Sequence, residues 1–192
     1  MLASGSGTNL QALIDAPEIR PRITIVVSDR DGVGSLERAA SAGIETAVVP
    51  FGDHADRESF SVAVADTVEG SGAKGVVLAG FMRVLSPPFI DRFPGRILNI
   101  HPSLLPAFPG SRAVESALAG GAATTGVTVH FVDEKVDHGP IIAQHQVPIE
   151  PGDDVATLHR RIQRVEHRVY PEIVRRFVTG GLYLEDGKVV WG

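Results

Sequence analysis

A chain of 192 residues with 43% hydrophobic, 21% charged and only 6% aromatic side chains suits one compact domain with a sizeable core. Its formal net charge of -5 offers no general attraction for a polyanion and so few aromatics argue against base stacking, so nucleic acid is not expected as a partner. The absence of cysteine excludes disulfides, thiolate catalysis and Cys-zinc sites and suits a reducing cytoplasm, while apolar runs such as VVLAGFM at 76–82 are far too short to span a bilayer.

Residues 1–9 are rich in Ser and Gly and lack the basic start and apolar stretch of a signal peptide. Short β-branched runs at 23–29, 45–50, 75–81 and 96–101 predict strands, and Leu10–Ala16, Gly34–Ala42, Arg57–Glu69 and Pro87–Arg92 between them predict helices. Strands apolar on both faces and separated by helices imply an α/β fold, a Rossmann-like doubly wound and mostly parallel sheet with helices on both faces. After His101 the pattern changes. Residues 124–133 alternate polar and apolar, and 140–149 follow a turn containing Gly139-Pro140, which predicts an antiparallel, half-exposed pair. A long C-terminal helix is expected from Asp153 or Asp154 as N-cap, with Leu158, Ile162, Val165 and Val169 as its apolar stripe and Pro171 kinking or ending its first part. Asp186-Gly187 between two short runs signals a final hairpin.

Four stretches could carry chemistry. ASGSGTNLQ at 3–11 places Gly5 and Gly7 before a helix that Thr8 or Asn9 would cap, either an anion seat or a tight turn; neither a dinucleotide fingerprint nor a P-loop is present. In ILNIH the side chains of Asn99 and His101 share one face at the carboxyl end of a strand, where ligands bind in parallel sheets, although such a pair could also staple the loop that follows. DEKVDHGP at 133–140 is an acidic turn in which Gly139-Pro140 could aim Asp137, with His138 expected to be exposed. Glu166 lies beside the apolar stripe of the long helix with no cation at i-4 or i+4, so it either finds a partner across the fold or binds a ligand cation. No His-Glu-x-x-His and no serine-hydrolase elbow occurs. Acid–base or electrostatic chemistry by an amide, an imidazole and a carboxylate that keeps the imidazole charged is the remaining economical option.

These segments, in this order and spacing, resemble the glycinamide ribonucleotide formyltransferases of purine biosynthesis, a branch of the folate-dependent formyltransferases, over essentially the whole chain. The stretches are LASGSGTNLQALID, VVLAGFMRVLSPPFIDRFPGRILNIHPSLLPAFPG, GVTVHFVDEKVDHGPII and EHRVYP. The resemblance implies one domain, with a nucleotide-binding half at about 1–100 and a folate and catalytic half at about 101–192. It implies 10-formyltetrahydrofolate as co-substrate, small-molecule partners only, no metal, no nicotinamide and no membrane; a homodimer is compatible with it. Gly7, Thr8 and Asn9 would hold the substrate phosphate, and Gln163, Arg164, Val165 and Glu166 its ribose and amine side. Arg57, Met82, Arg83, Val84 and Leu85, together with Asp133, Glu134, Lys135, Val136 and Asp137, would line the folate cleft. Asn99, which also faces the folate, His101 and Asp137 would surround the transferred formyl carbon, the amide and imidazole meeting one oxyanion.

Two departures are visible. Arg112 stands after Pro109-Gly110-Ser111 where family members commonly carry His, and Met1-Leu2-Ala3 stands where the family has a full first strand. Losing about four buried aliphatic residues there would forfeit roughly 6–12 kcal/mol, so the chain is expected to be marginal, with its true start upstream unless Met1 to Ala3 and a shifted register compensate. Rival readings are a formyltetrahydrofolate hydrolase, a methionyl-tRNA formyltransferase-like core, or a catalytically silent nucleotide-binding module.

Overall fold

Alternate residues of a strand point to opposite faces, so short strands apolar on both sides feed two separate cores. The computed structural model describes residues 1–192. Strand β1 (Ile25–Ser28) pairs in parallel with β2 (Glu45–Val48), and β3 (Val76–Leu78) in parallel with β4 (Ile97–His101). Beyond β4, β5 (Thr124–Phe131) and β6 (Ile141–Pro148) add antiparallel. The two parallel pairs are joined through Leu2, which bridges Val27 on one side and Leu78 on the other, giving the order β2-β1-Leu2-β3-β4-β5-β6.

On one face, Val26, Val77 and Leu98 pack with Leu10 and Leu13 of α1 (Thr8–Ile14) and with Leu158, Ile162 and Tyr170 of α6 (Val155–Val178). On the other, Ile25, Val27, Val76, Leu78 and Ile97 meet Phe60 and Val64 of α3 (Arg57–Gly70) and Phe89 of α4 (Pro87–Ile90). Helix α2 (Gly34–Ser41) follows β1, and α5 (Ala113–Ala119) follows β4. The doubly wound arrangement expected from the apolar strands is present.

The chain start occupies the place of the short first strand. Leu2 N–H donates to Val77 O, Ala3 N–H to Val27 O, Ser4 N–H to Gly80 O, Val27 N–H to Met1 O and Ala79 N–H to Leu2 O, so residues 1–4 carry the ladder, with Leu2 and Ala3 fully buried. On the amino-terminal side of that ladder, Ile23, Thr24, Gly75 and Val77 line a cavity of about 840 Å³.

Several elements differ from expectation. Gly7 rather than Thr8 or Asn9 caps α1, in the left-handed conformation (φ 72°) and without a side-chain cap. Strand β3 stops at Leu78 instead of 81, because the backbone turns away at Gly80. β5 is not half-exposed: seven of its eight residues are buried, since Val127, Val129 and Phe131 pack into the core with α6 on one face and the loop after β4 lies over Gly126 and Thr128 on the other, while the edge strand β6 is largely exposed. Helix α5, unforeseen, has a small-residue sequence, AVESALA, whose buried face is mostly alanine and carries little periodic signal. Helix α6 starts at the Asp154 cap, with Thr157 completing a capping box, and runs through Pro171 to Val178. Proline removes one backbone bond at that point, and the buried residues on both sides, Val169 and Tyr170 before it and Ile173 and Val174 after it, hold the helix in place. The final hairpin forms between β7 (Leu182–Glu185) and β8 (Lys188–Trp191), with Asp186 and Gly187 both at positive φ.

Tyr170 ties α6 to the sheet. Its ring is fully buried and its hydroxyl donates to Leu78 O, at the end of β3, at 2.8 Å, with Leu98 O, near the start of β4, at 3.4 Å. Burial raises the phenol well above its ordinary value, so it stays a donor. Tyr170→Phe keeps the packing and removes the bond. It is expected to lower stability by about 0.5–1.5 kcal/mol, read as a lower urea midpoint at unchanged slope; an unmoved midpoint would show that the bond contributes nothing net.

Candidate active site

The turn after β3 and the turn after β5 face one another across the carboxyl end of β4, and between them opens a cleft of about 210 Å³. Its floor is apolar, with Leu78, Ile90 and Val132. Its walls are Met82–Leu85 on one side and Asp133–Asp137 on the other, and Asn99, His101 and His130 lie on the β4–β5 side. All the folate-cleft residues expected from the sequence are therefore brought together except Arg57, which opens α3 at the surface and takes no part in the wall. Met82, 61% exposed, and Val136, 53% exposed, present apolar edges at the rim.

The first wall is pinned from below. Met82 N–H donates to Ser4 Oγ at 2.9 Å, Arg83 Nε donates to Asp29 Oδ2 at 2.7 Å, and Ser86 N–H donates to Ser61 Oγ at 3.0 Å. The Arg83 guanidinium also sits 4.5 Å from the Phe51 ring centroid. Burial pushes the Asp29 carboxyl up, but hydrogen bonds from Ser4 and Arg83 outweigh it and hold the group below its ordinary value. Asp29 thus remains an anion beneath the loop.

Asn99 and His101 share a face of β4, as the two-residue spacing requires, and Asp137 reaches them from the second wall. His101 Nδ1 is 3.4 Å from Asp137 Oδ2, and its Nε2 donates to Phe108 O at 2.9 Å. Both ring nitrogens therefore face oxygen acceptors, an arrangement that a doubly protonated ring satisfies. This departs from the expectation that the imidazole is aimed at the same point as the amide. Asn99 Nδ2 instead meets Nε2 of His130, at 3.2 Å.

The position of Asp137 is fixed by backbone geometry. Its own φ is 52°, its Oδ2 accepts the Gly110 N–H at 2.8 Å, and Gly139 lets the turn lie against the end of β5 because a Cβ there would run into Phe131 O. The bend that could aim one carboxylate does so. Across the cleft, the loop after β4 is held by Thr128, whose hydroxyl donates to Ser103 O and accepts from Leu105 N–H and Gln144 Nε2. His130, Phe108 and Gly110 were not legible as site residues: His130 sits in an ordinary alternating strand pattern, and the other two contribute only backbone groups. Asp133 accepts from His138 Nδ1 at 2.8 Å, and His138 is exposed as expected, while Glu134 and Lys135 lie on the exposed rim. Arg112 is exposed at the N-cap of α5, one residue outside the lining.

The glycine turn and the long helix also meet. Gly7 needs its left-handed φ, and a Cβ on it would lie 2.6 Å from Ser35 Cα, so α2 can approach only glycine. Asn9 Nδ2 donates to Glu166 Oε2 at 2.9 Å, which answers where that carboxylate finds a partner, and Asn9 Oδ1 is buried without one. Of the other expected residues, Gln163 is half-buried, Arg164 is exposed and Val165 packs against the core. Glu166 is 4% exposed, and burial pushes its carboxyl above the ordinary value against the lowering effect of Asn9. A raised folded value means that the folded state binds the proton more tightly. Its contribution to stability is full below about 4.5 and is lost as pH rises through the folded value. Glu166→Gln is expected to flatten that decline in urea midpoint measured across mildly acid to neutral pH; an unchanged slope would mean the carboxyl is not the group responsible.

Comparison with known proteins agrees with this geometry. Residues 1–174 match the formyl transferase family model. The chain is 46% identical over 195 residues to the human trifunctional purine biosynthetic protein adenosine-3, spanning 19% of that protein's length, so it covers about a fifth of these trifunctional relatives. It is 44% identical over 184 residues to the phosphoribosylglycinamide formyltransferase of Mycobacterium tuberculosis, covering 95% of this chain and 85% of that one. The solved glycinamide ribonucleotide transformylase 1 of Symbiobacterium toebii superposes with a TM-score of 0.92 at 46% identity, over 99% of this chain and 91% of its own. No helix is long and apolar enough to cross a membrane. With a family match over most of its length and a cleft built from the family's motifs, the chain belongs to the formyl transferase family.

Proposed function

We propose that the chain transfers the formyl group of 10-formyltetrahydrofolate to the amine of glycinamide ribonucleotide, as a cytoplasmic enzyme of purine biosynthesis. The observation that carries this reading is the convergence of Asn99, His101 and Asp137 at the inner end of a cleft with an apolar floor. Such a floor suits a flat heterocycle, and the polar groups at its end suit a reacting carbonyl.

In this reading Met82–Leu85 and Asp133–Asp137 hold the folate, with Arg57 as an outer contact. Gly7, Thr8 and Asn9 take the phosphate of the nucleotide, and Gln163–Glu166 its ribose and amine side. Each subsite draws on both halves of the sequence, so the nucleotide half at about 1–100 and the folate half at about 101–192 work as one formyltransferase domain. The fixed connection through Ser4, in the glycine turn, and Met82, in the folate wall, keeps the two substrates in register.

The neutral amine attacks the formyl carbon, forming the new C–N bond and placing the carbonyl electron pair on oxygen. The Asn99 amide donates to that oxyanion, and His101, held between Phe108 O and Asp137, supplies positive charge beside it. The amine proton passes to N10, directly or through a water, the oxygen's electron pair re-forms the carbonyl, and the C–N10 bond breaks to release tetrahydrofolate.

The test is tetrahydrofolate release that depends on added glycinamide ribonucleotide. Release without the nucleotide would indicate the hydrolase, and ligand binding without release a silent module. Asn99→Ala is expected to lower kcat by on the order of 10² with the fold intact by circular dichroism. A wild-type rate in that variant would remove Asn99 from the mechanism.

A further inference from the structure

A primary amide is a useful oxyanion donor only when its NH₂ end, and not its carbonyl, faces the reacting oxygen, and the two ends differ little in shape. Something in the protein must therefore set which way Asn99 points. The β4–β5 register places one residue directly opposite it, His130, with 1% exposure.

The hydrogen bonds of His130 determine its tautomer. Nδ1 lies 2.8 Å from Phe131 O, and a carbonyl only accepts, so Nδ1 carries the proton. Burial is the largest influence on this ring and holds it below its ordinary value, outweighing the raising effects of the Phe131 carbonyl and Asp137, so the ring is neutral at neutral pH. A neutral ring protonated at Nδ1 leaves Nε2 bare. The nearest polar atom of Asn99, 3.2 Å away, must then be the donor Nδ2, and the opposite flip would set two lone pairs against each other. Asp137 Oδ1, 3.8 Å from Nε2, cannot donate to it as a carboxylate, so Asn99 is the partner that satisfies this nitrogen.

We propose that His130 is a positioning residue for the formyl transfer, fixing the flip of the Asn99 amide by accepting one Nδ2–H at its bare Nε2 and leaving the second Nδ2–H for the oxyanion. The inference rests on the formyl-transfer reading for its consequence in rate, though the tautomer itself does not. It gives the Phe131 carbonyl a part in catalysis at two removes: the backbone sets the His130 tautomer, the tautomer sets the Asn99 flip, and the flip sets the donor.

Two measurements test it. In nitrogen-15 spectra of the intact chain with labelled histidine, His130 is expected to show a protonated Nδ1 and a bare Nε2 at neutral pH; an Nε2–H tautomer or a doubly protonated ring would overturn the proposal, whatever the reaction catalysed. In turnover, His130→Leu is expected to lose about tenfold to a hundredfold in kcat with KM for the folate little changed, less than the loss on removing the donor itself. His130→Gln, whose side-chain oxygen can accept near the Nε2 position, is expected to recover most of that loss, and serves as the test if the leucine variant does not fold. In an Asn99→Ala background the change at His130 is expected to cost nothing further. A full, additive loss there would show that His130 does not act through Asn99. Absence of formyl transfer in the unaltered chain would count against the reaction, leaving the spectra to decide the tautomer.

Discussion

Antiparallel pairing of β5 onto β4 sets Asn99 opposite His130 and His101 opposite Thr128, and the rest of the catalytic end follows from that register. Thr128 then lies where its hydroxyl can hold the loop leaving β4, and that loop carries the Phe108 carbonyl back to His101. The same loop brings Gly110 N–H to Asp137, so the carboxylate is anchored by the segment whose imidazole it faces. A slip of one residue between these strands would turn Asn99 and His101 away from their partners together.

The two substrate regions are built on a common support. Helix α6 contributes Glu166 to Asn9 beside the glycine turn and Tyr170 to the end of β3, one helical turn apart, so a single rigid element positions the Asn9 side and braces a strand of the cleft. Ser4 and Asp29 do the same from the other side, holding Met82 and Arg83. Asp29 is a buried charge that Arg83 partners, and a pair of this kind defines where a loop sits more than it adds stability.

Two non-glycine residues at the site, Phe108 and Asp137, have left-handed backbone, with φ of 53° and 52°. The conformation is costly for phenylalanine, about 1–2 kcal/mol, and more easily accepted by aspartate. Both residues deliver an oxygen to His101, Phe108 through its carbonyl and Asp137 through its carboxylate. Strain at these positions is matched by the contact each one makes, and core packing beneath the sheet supplies the stability that tolerates it.

Periodicity alone determined the strands and most of the helices, because apolar runs of four to six residues between helical segments have few other ways to be buried. It also placed Asn99 and His101 on one face, since a strand's alternation is local geometry, and it marked Gly139-Pro140 as a bend that could aim Asp137. Resemblance to the family added the residues of the cleft, all but Arg57 of which the fold gathers at the wall. Tertiary structure decided what lies opposite what. The strand register made His130 the partner of Asn99, and cover from α6 on one face and the loop after β4 on the other turned an apparently half-exposed strand into core. Helix packing gave Glu166 its partner 157 residues away, and loop closure turned both His101 nitrogens toward oxygen. Such pairings depend on distances between segments far apart in the chain, and no periodic signal within either segment encodes them.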